Sequence, residues 1–363
     1  MNATQQLHDL GQSIWLDNIT RELITSGTLA RYIRDFHVTG LTSNPTIFEH
    51  AIGDSTAYDS AIRHRAAIVK SADNLFFEMA LDDLSQAADL FRPAFDASAG
   101  RDGWVSLEVS PLLANDTANT IKEVAELHTR ANRPNLFVKI PGTAEGLMAI
   151  EASIFAGVPV NVTLLFSCKQ YLAAAEAYLR GIERRIGAGL DPRVGSVASL
   201  FISRWDVAVK DVVASQWRNR LGIAVAMQTY QAYCALLATP RWRKLAAAGA
   251  SAQRVLWAST GTKDPQAPDT MYVAALAAPR TINTIPEKTL LAFADHGSVR
   301  QTLPPDGGEA DAVLASFRDQ GIDIDALAER LQRAGVEAFA ASWHQLLQAI
   351  DTKTAHFARV SPL

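Results

Sequence analysis

The chain alternates short apolar runs with long helical stretches, and it does so eight times. Runs rich in β-branched, aromatic and aliphatic residues lie at 13–19 (SIWLDNI), 104–109 (WVSLEV), 136–140 (LFVKI), 159–166 (PVNVTLLF), 196–202 (SVASLFI), 255–259 (VLWAS) and 281–285 (TINTI), with a weaker one at 40–44 (GLTSN). Most are apolar without interruption, as strands covered on both faces must be, so the sheet they predict is parallel and buried. Between them run helix-period stretches such as 118–131, 167–187 and 205–238. Ser167 with Gln170, and Thr284 with Glu287 behind Pro286, have capping-box spacing. Eight βα units over about 285 residues fit an α/β fold of the TIM (β/α)8 type. A doubly wound open sheet is the alternative, weakened because no GxGxxG follows the first run. The segment 45–103 predicts two or more helices. Past a polar Pro/Gly loop at 298–308, residues 310–357 predict about three more. The expectation is one barrel domain over 1–363, with 298–363 a helical extension packed on it.

Composition narrows the function classes. At 363 residues with 48% hydrophobic and 20% charged content, the chain can bury roughly three quarters of its surface and needs no staples. A formal net charge of −4 and the lack of any Lys/Arg run argue against a nucleic-acid partner. Cys168 and Cys234 are too few for a disulfide framework and lack metal-ligand spacing. The start has no basic region followed by an apolar stretch, and no window of about 18 apolar residues is evident. The expectation is a cytoplasmic protein with no membrane partner; oligomeric state is not legible.

In such a barrel the chemistry gathers at the carboxyl ends of the strands, so polar residues caught inside or just past the apolar runs stand out. Of nine lysines only Lys139 sits within an apolar run, in LFVKIPG. The plain account is a strand-end lysine reaching water along its stem. The sharper one is a desolvated amine able to form a Schiff base with a carbonyl substrate. Asp17 interrupts IWLDNI and Glu108 interrupts WVSLEV. Each alone could be a cap or a structural ion-pair partner, but a barrel brings strand ends around one axis. A cation with two carboxylates there is an amine nucleophile served by a general acid/base. Thr42, Ser43 and Asn44 close the second run, Asn44 standing before Pro45 as a helix N-cap would. Asn161 and Thr163, two apart in the fifth run, face the same side and suit a polyhydroxylated substrate. Ser199 and Arg204 near the sixth run, with Ser259 and Lys263 near the seventh, form a candidate monophosphate clamp. The eight histidines show neither HxH nor HExxH spacing and read as structural, as do Trp15, Trp104 and Trp257. No GxxxxGK[ST], GxSxG or paired CxxC occurs.

The runs GLTSNPTIF (40–48), FVKIPGT (137–143) and VNVTLLFS (160–167), in that order, resemble transaldolases, and LWASTGTKDP (256–265) with the longer tail is similar to their longer bacterial subfamily. The resemblance covers nearly the whole chain. It implies a class I aldolase-type barrel that needs no metal and no organic cofactor. It also implies transfer of a dihydroxyacetone unit from sedoheptulose 7-phosphate or fructose 6-phosphate to an aldose phosphate, in the non-oxidative pentose phosphate pathway. By the same resemblance Lys139 is the Schiff-base nucleophile on the fourth strand, and Asp17 the acid/base acting on the donor's C4 hydroxyl. Glu108 and Thr163 hold the catalytic water. Asn44 and Asn161, with Thr42 nearby, bind the dihydroxyacetone part, and Ser199, Phe201 and Arg204 bind the phosphate end. Shorter family members carry an arginine after the seventh strand; this chain reads ASTGTK there, with Lys263 beside Ser259 in its place. The alternatives are a fructose-6-phosphate-type aldolase that releases free dihydroxyacetone, and a non-catalytic barrel that binds sugar phosphates.

Overall fold

The computed structural model describes residues 2–66, 68–69 and 71–360. All eight apolar runs are strands: β1 (Ser13–Asp17), β2 (Val38–Thr42), β3 (Val105–Glu108), β4 (Leu136–Pro141), β5 (Val160–Leu165), β6 (Ser196–Phe201), β7 (Arg254–Ala258) and β8 (Ile282–Ile285). Every neighbouring pair is parallel, and β8 returns to β1, closing the barrel in sequence order. The doubly wound alternative is thereby excluded. The weakest run is displaced: β2 begins at Val38 and ends at Thr42, leaving Ser43 and Asn44 at the mouth.

Helices follow each strand and cover the outer face. Segment 45–103 supplies three, Pro45–Gly53, Asp59–Arg65 and the long Ala72–Ala97. Asn44 caps the first as expected, its side-chain oxygen accepting from the Ile47 amide at 3.0 Å with Pro45 at the first helical position. At Ser167 the capping box is shifted by one residue. The Ser167 hydroxyl accepts from the Gln170 amide, but Gln170 reaches back to the amide of Phe166. The Thr284 box does not form. Helix Glu287–His296 begins two residues later than that box requires, Thr284 stays in β8, and Glu287 accepts instead from Asn18 and Tyr32. The stretch Ser215–Ala238 holds an 18-residue window of mean hydropathy 1.3, enough by length and composition for a membrane span. Its helix, Leu221–Ala238, lies in the barrel coat with Val225, Thr229 and Tyr233 buried.

The tail holds two helices after the Pro/Gly loop, not three: Ala310–Asp319 and a 37-residue C-terminal helix, Ile324–Val360. The long helix stays unbroken because Leu327, Leu331, Gly335, Phe339, Trp343, Leu346 and Ile350 make one continuous buried stripe at three- and four-residue spacing. Gly335 falls in that stripe where the helix crosses the barrel mouth, and a side chain there would meet Leu164 Cδ2 at 2.9 Å.

The amino end of the barrel is closed by a polar knot. Buried Arg254 donates to the Thr281 carbonyl (2.7 Å), the Arg101 carbonyl (3.1 Å) and the Ser13 hydroxyl (2.6 Å). Ser13 in turn donates to Asp102, which also accepts from Trp15 Nε1 (2.8 Å) and Thr39 (2.9 Å). A buried charge is tolerable when satisfied in this way. Gly103 leads from that knot into β3 with φ of 84°, and a Cβ there would land on the backbone of Phe95. Gly103→Ala combines a left-handed backbone with a backbone clash and is expected to lower stability by at least about 3 kcal/mol. Urea unfolding checks this, and a loss under about 1 kcal/mol contradicts it.

Candidate active site

Parallel register fixes the centre of the site before any side chain is considered. Glu108 on β3 lies opposite Lys139 on β4, which lies opposite Asn161 on β5, and Pro141 lies opposite Thr163. Across the barrel Asp17 on β1 pairs with Thr42 on β2. Alternation along each strand turns these residues inward at the carboxyl end.

The Lys139 amine is 3.0 Å from Glu108 Oε2 and donates to the Ser43 carbonyl at 2.9 Å. Both side chains are almost wholly buried, at 6% and 3% exposure, so this ion pair has little solvent screening. Burial pushes the Glu108 carboxyl above its usual range, opposed by the charges of Lys139 and Arg204. Burial likewise raises Asp17, against the pull of Lys139, the Thr42 hydroxyl and Lys263. Thr42 donates to Asp17 at 2.9 Å and shares a 2.7 Å bond with the hydroxyl of Thr284. Glu108 Oε1 and the Thr163 hydroxyl are buried with no hydrogen-bond partner among the described residues.

Lys139, Asp17, Thr42, Thr163 and Thr284 border a cavity of about 230 Å³. Nine of the twelve residues singled out in the sequence line it: Asp17, Thr42, Asn44, Lys139, Thr163, Ser199, Phe201, Arg204 and Ser259. Three do not. Glu108 sits behind Lys139. Asn161 is fully buried beneath the floor, its amide donating to Ser106 (3.1 Å) and accepting from Ser199 (2.7 Å). Lys263 is exposed on the loop after β7 and lines an outer cavity of about 810 Å³, which shares Arg204 and Ser259 with the inner one. Arg204 leads the helix after β6 and lies against Phe201, 5.2 Å from the ring centre. Burial pulls its basicity down, countered by Glu108.

Six lining residues lie outside that set, Thr46, Ile47, His50, Ala258, Thr284 and Phe339, so His50, expected to be structural, borders the cavity. Thr284 interrupts an apolar run just as Thr163 does and was legible on the same ground. Phe339 arrives from the C-terminal helix, 200 residues after Lys139, and nothing local marks it. The backbone is also strained here. Leu164 and Ser259, neither of them glycine, adopt left-handed conformations with φ of 57° and 56°. Leu164 sits at a register shift in β5, beside Thr163. Strain at non-glycine residues gathers at functional sites because a precise geometry must be held there.

A model of the transaldolase/fructose-6-phosphate aldolase family matches residues 14–350. The chain belongs to that family. It is 46% identical over 349 residues to a transaldolase from Parafrankia sp., covering 94% of this chain and 95% of that one. A transaldolase from Acidothermus cellulolyticus is 46% identical over 353 residues, 95% of each chain. One from Thiobacillus denitrificans is 44% identical over 358 residues, 96% of this chain and all of the other. The family match runs from β1 into the C-terminal helix, so Asp17 and Phe339, the outermost lining residues, both fall within it.

The buried pair makes a prediction independent of turnover. Glu108 titrates higher in the folded protein than in the unfolded chain, so the folded state holds the proton more tightly and stability falls as pH rises between the two values. Lys139→Met removes the cation that limits this difference. The variant is expected to lose about 3–5 kcal/mol at pH 8 and clearly less at pH 5, where Glu108 can protonate. Equal losses in urea unfolding at the two pH values would contradict the assignment.

Proposed function

We propose that this chain is a transaldolase, moving a dihydroxyacetone unit from a ketose phosphate to an aldose phosphate through a Schiff base on Lys139. The observation that carries the reading is the Lys139 amine, buried in the cavity wall, ion-paired to Glu108 at 3.0 Å and bordering the same cavity as Asp17. A non-catalytic sugar-phosphate binder has no use for such a pair, which costs desolvation without contacting the phosphate end.

Glu108, its affinity for a proton raised by burial, takes the ammonium proton and frees the amine to attack the C2 carbonyl of the donor. The C2 oxygen leaves as water, and the unpartnered Glu108 Oε1 and Thr163 hydroxyl are suited to holding that water. The resulting iminium is an electron sink. Asp17, oriented by Thr42, removes the C4 hydroxyl proton, the C3–C4 bond breaks toward the iminium, and an aldose phosphate departs. The enamine left on Lys139 adds to the aldehyde of a second aldose phosphate as the steps reverse. Arg204, with Lys263 further out, is the candidate phosphate clamp, and Ser199 and Ser259 supply hydroxyls toward that end. Asn44 faces the dihydroxyacetone end while capping its helix, and Asn161 acts from below by holding Ser199. The two free cysteines are consistent with the cytoplasm.

Borohydride reduction in the presence of fructose 6-phosphate is expected to leave a covalent adduct on Lys139, identified by mass spectrometry. An unmodified Lys139, or turnover retained in Lys139→Met, overturns the reading. Asp17→Asn is expected to lower kcat by about 10²–10⁴-fold while still forming the adduct. Because burial raises the Asp17 carboxyl, the acidic limb of the kcat/KM profile is expected above the ordinary carboxylate range. A limb at or below the usual aspartate value contradicts Asp17 as the base.

A further inference from the structure

The C-terminal helix does more than cover the barrel, because it supplies one wall of the inner cavity. Phe339 is 5% exposed and lines that cavity with its ring centre 5.9 Å from the Lys139 amine and 5.9 Å from the Arg204 guanidinium carbon. These two groups mark the ends of the proposed substrate path, with the covalently held C2 at Lys139 and the phosphate at Arg204. A ring equally far from both lies alongside the stretch between them, where C3 and C4 sit.

The helix is fastened on both sides of that ring. Gln332 Nε2 donates to the carbonyls of Gly142, just past β4, and of left-handed Leu164 in β5, each at 3.0 Å. Gly335, with no side chain, lets the helix come down onto Leu164 and Arg204, and Thr46 shares a 2.8 Å hydroxyl bond with Ser342 one turn beyond Phe339. The roof is therefore held by polar contacts on both sides of the aromatic ring.

We infer that Phe339 determines reaction specificity, keeping bulk water from C3 of the enamine so that the three-carbon unit is transferred and not released. This rests on the Schiff-base reading above. Release needs a proton delivered to C3, which turns the enamine back into an iminium, and then water added at C2, which breaks the C–N bond and returns the Lys139 amine with free dihydroxyacetone. Transfer needs the same carbon to form a bond to an aldehyde instead. An apolar ring beside C3 impedes the first route and leaves the second open, since the aldehyde arrives by displacing water with its own carbon chain.

The test is a ratio measured in one reaction vessel: free dihydroxyacetone formed per transfer product, from fructose 6-phosphate with erythrose 4-phosphate. In Phe339→Ala the ratio is expected to rise about 10-fold or more, the scale set by altering one wall of an apolar pocket. Phe339→Leu keeps apolar bulk and is expected to fall between wild type and Phe339→Ala. It also decides the matter if the alanine variant does not fold. Gln332→Ala, which loosens the helix without touching the cavity, is expected to raise the ratio as well. A merely structural role for Phe339 lowers both rates together and leaves the ratio at the wild-type value; that result overturns the inference. Borohydride trapping on each variant separates the two readings, because a variant that traps at Lys139 with an unchanged ratio refutes the roof alone.

Discussion

A lysine and a glutamate, paired across two neighbouring strands and nearly stripped of water, impose most of the order seen at the mouth of this barrel. Neither charge is tolerable there alone, and their attraction offsets desolvation only if geometry is held closely. Parallel pairing of β3 with β4 supplies that geometry by setting Glu108 directly opposite Lys139. The Ser43 carbonyl accepts a hydrogen bond from the same amine, which ties the end of β2 to that point. Three successive strands thus meet at one nitrogen. The carboxylate on β1 stands apart from this knot, held by Thr42, and that separation leaves room for the two roles proposed for Lys139 and Asp17.

Much of this was legible in the sequence because a buried parallel strand writes itself as an unbroken apolar run, and a charge within one is conspicuous. Lys139, Asp17 and Glu108 were found on that ground alone. Depth along the barrel axis was not legible. Asn161 and Thr163 share a face, yet only Thr163 reaches the cavity, because one residue pair along the strand is a whole layer of the interior. Distance in the chain hid Phe339, whose place depends on how a 37-residue helix crosses the mouth. The stretch 310–357 was expected to hold about three helices and holds two, and Gly335, a poor helix former by propensity, marks a close approach inside the longer one. Capping motifs were legible as types but not as partners. The Ser167 box closed one residue early, and the Thr284 box gave way to a hydroxyl bond with Thr42.

Two strained residues show where the barrel departs from an ideal cylinder. Leu164 and Ser259 interrupt the regular ends of β5 and β7, with left-handed backbones that cost of order 1–3 kcal/mol each. At Leu164 the distortion turns a carbonyl toward Gln332. At Ser259 the carbonyl accepts from the Ser203 amide and the two hydroxyls meet at 2.8 Å, fixing the start of the helix that bears Arg204. Local strain is thus converted into placement, on one side of the roofing helix and on the other of the guanidinium.

The roofing helix follows all eight strands in the chain. At roughly 5–20 residues per second the ribosome takes about 2–7 seconds to make its 37 residues, and the eight strands have already emerged or are emerging as it does so. During that interval the residues at the strand ends, Lys139 among them, lack the wall that Phe339 supplies. The pair of Lys139 with Glu108 belongs to the neighbouring strands β3 and β4, so it needs nothing from that cover to form.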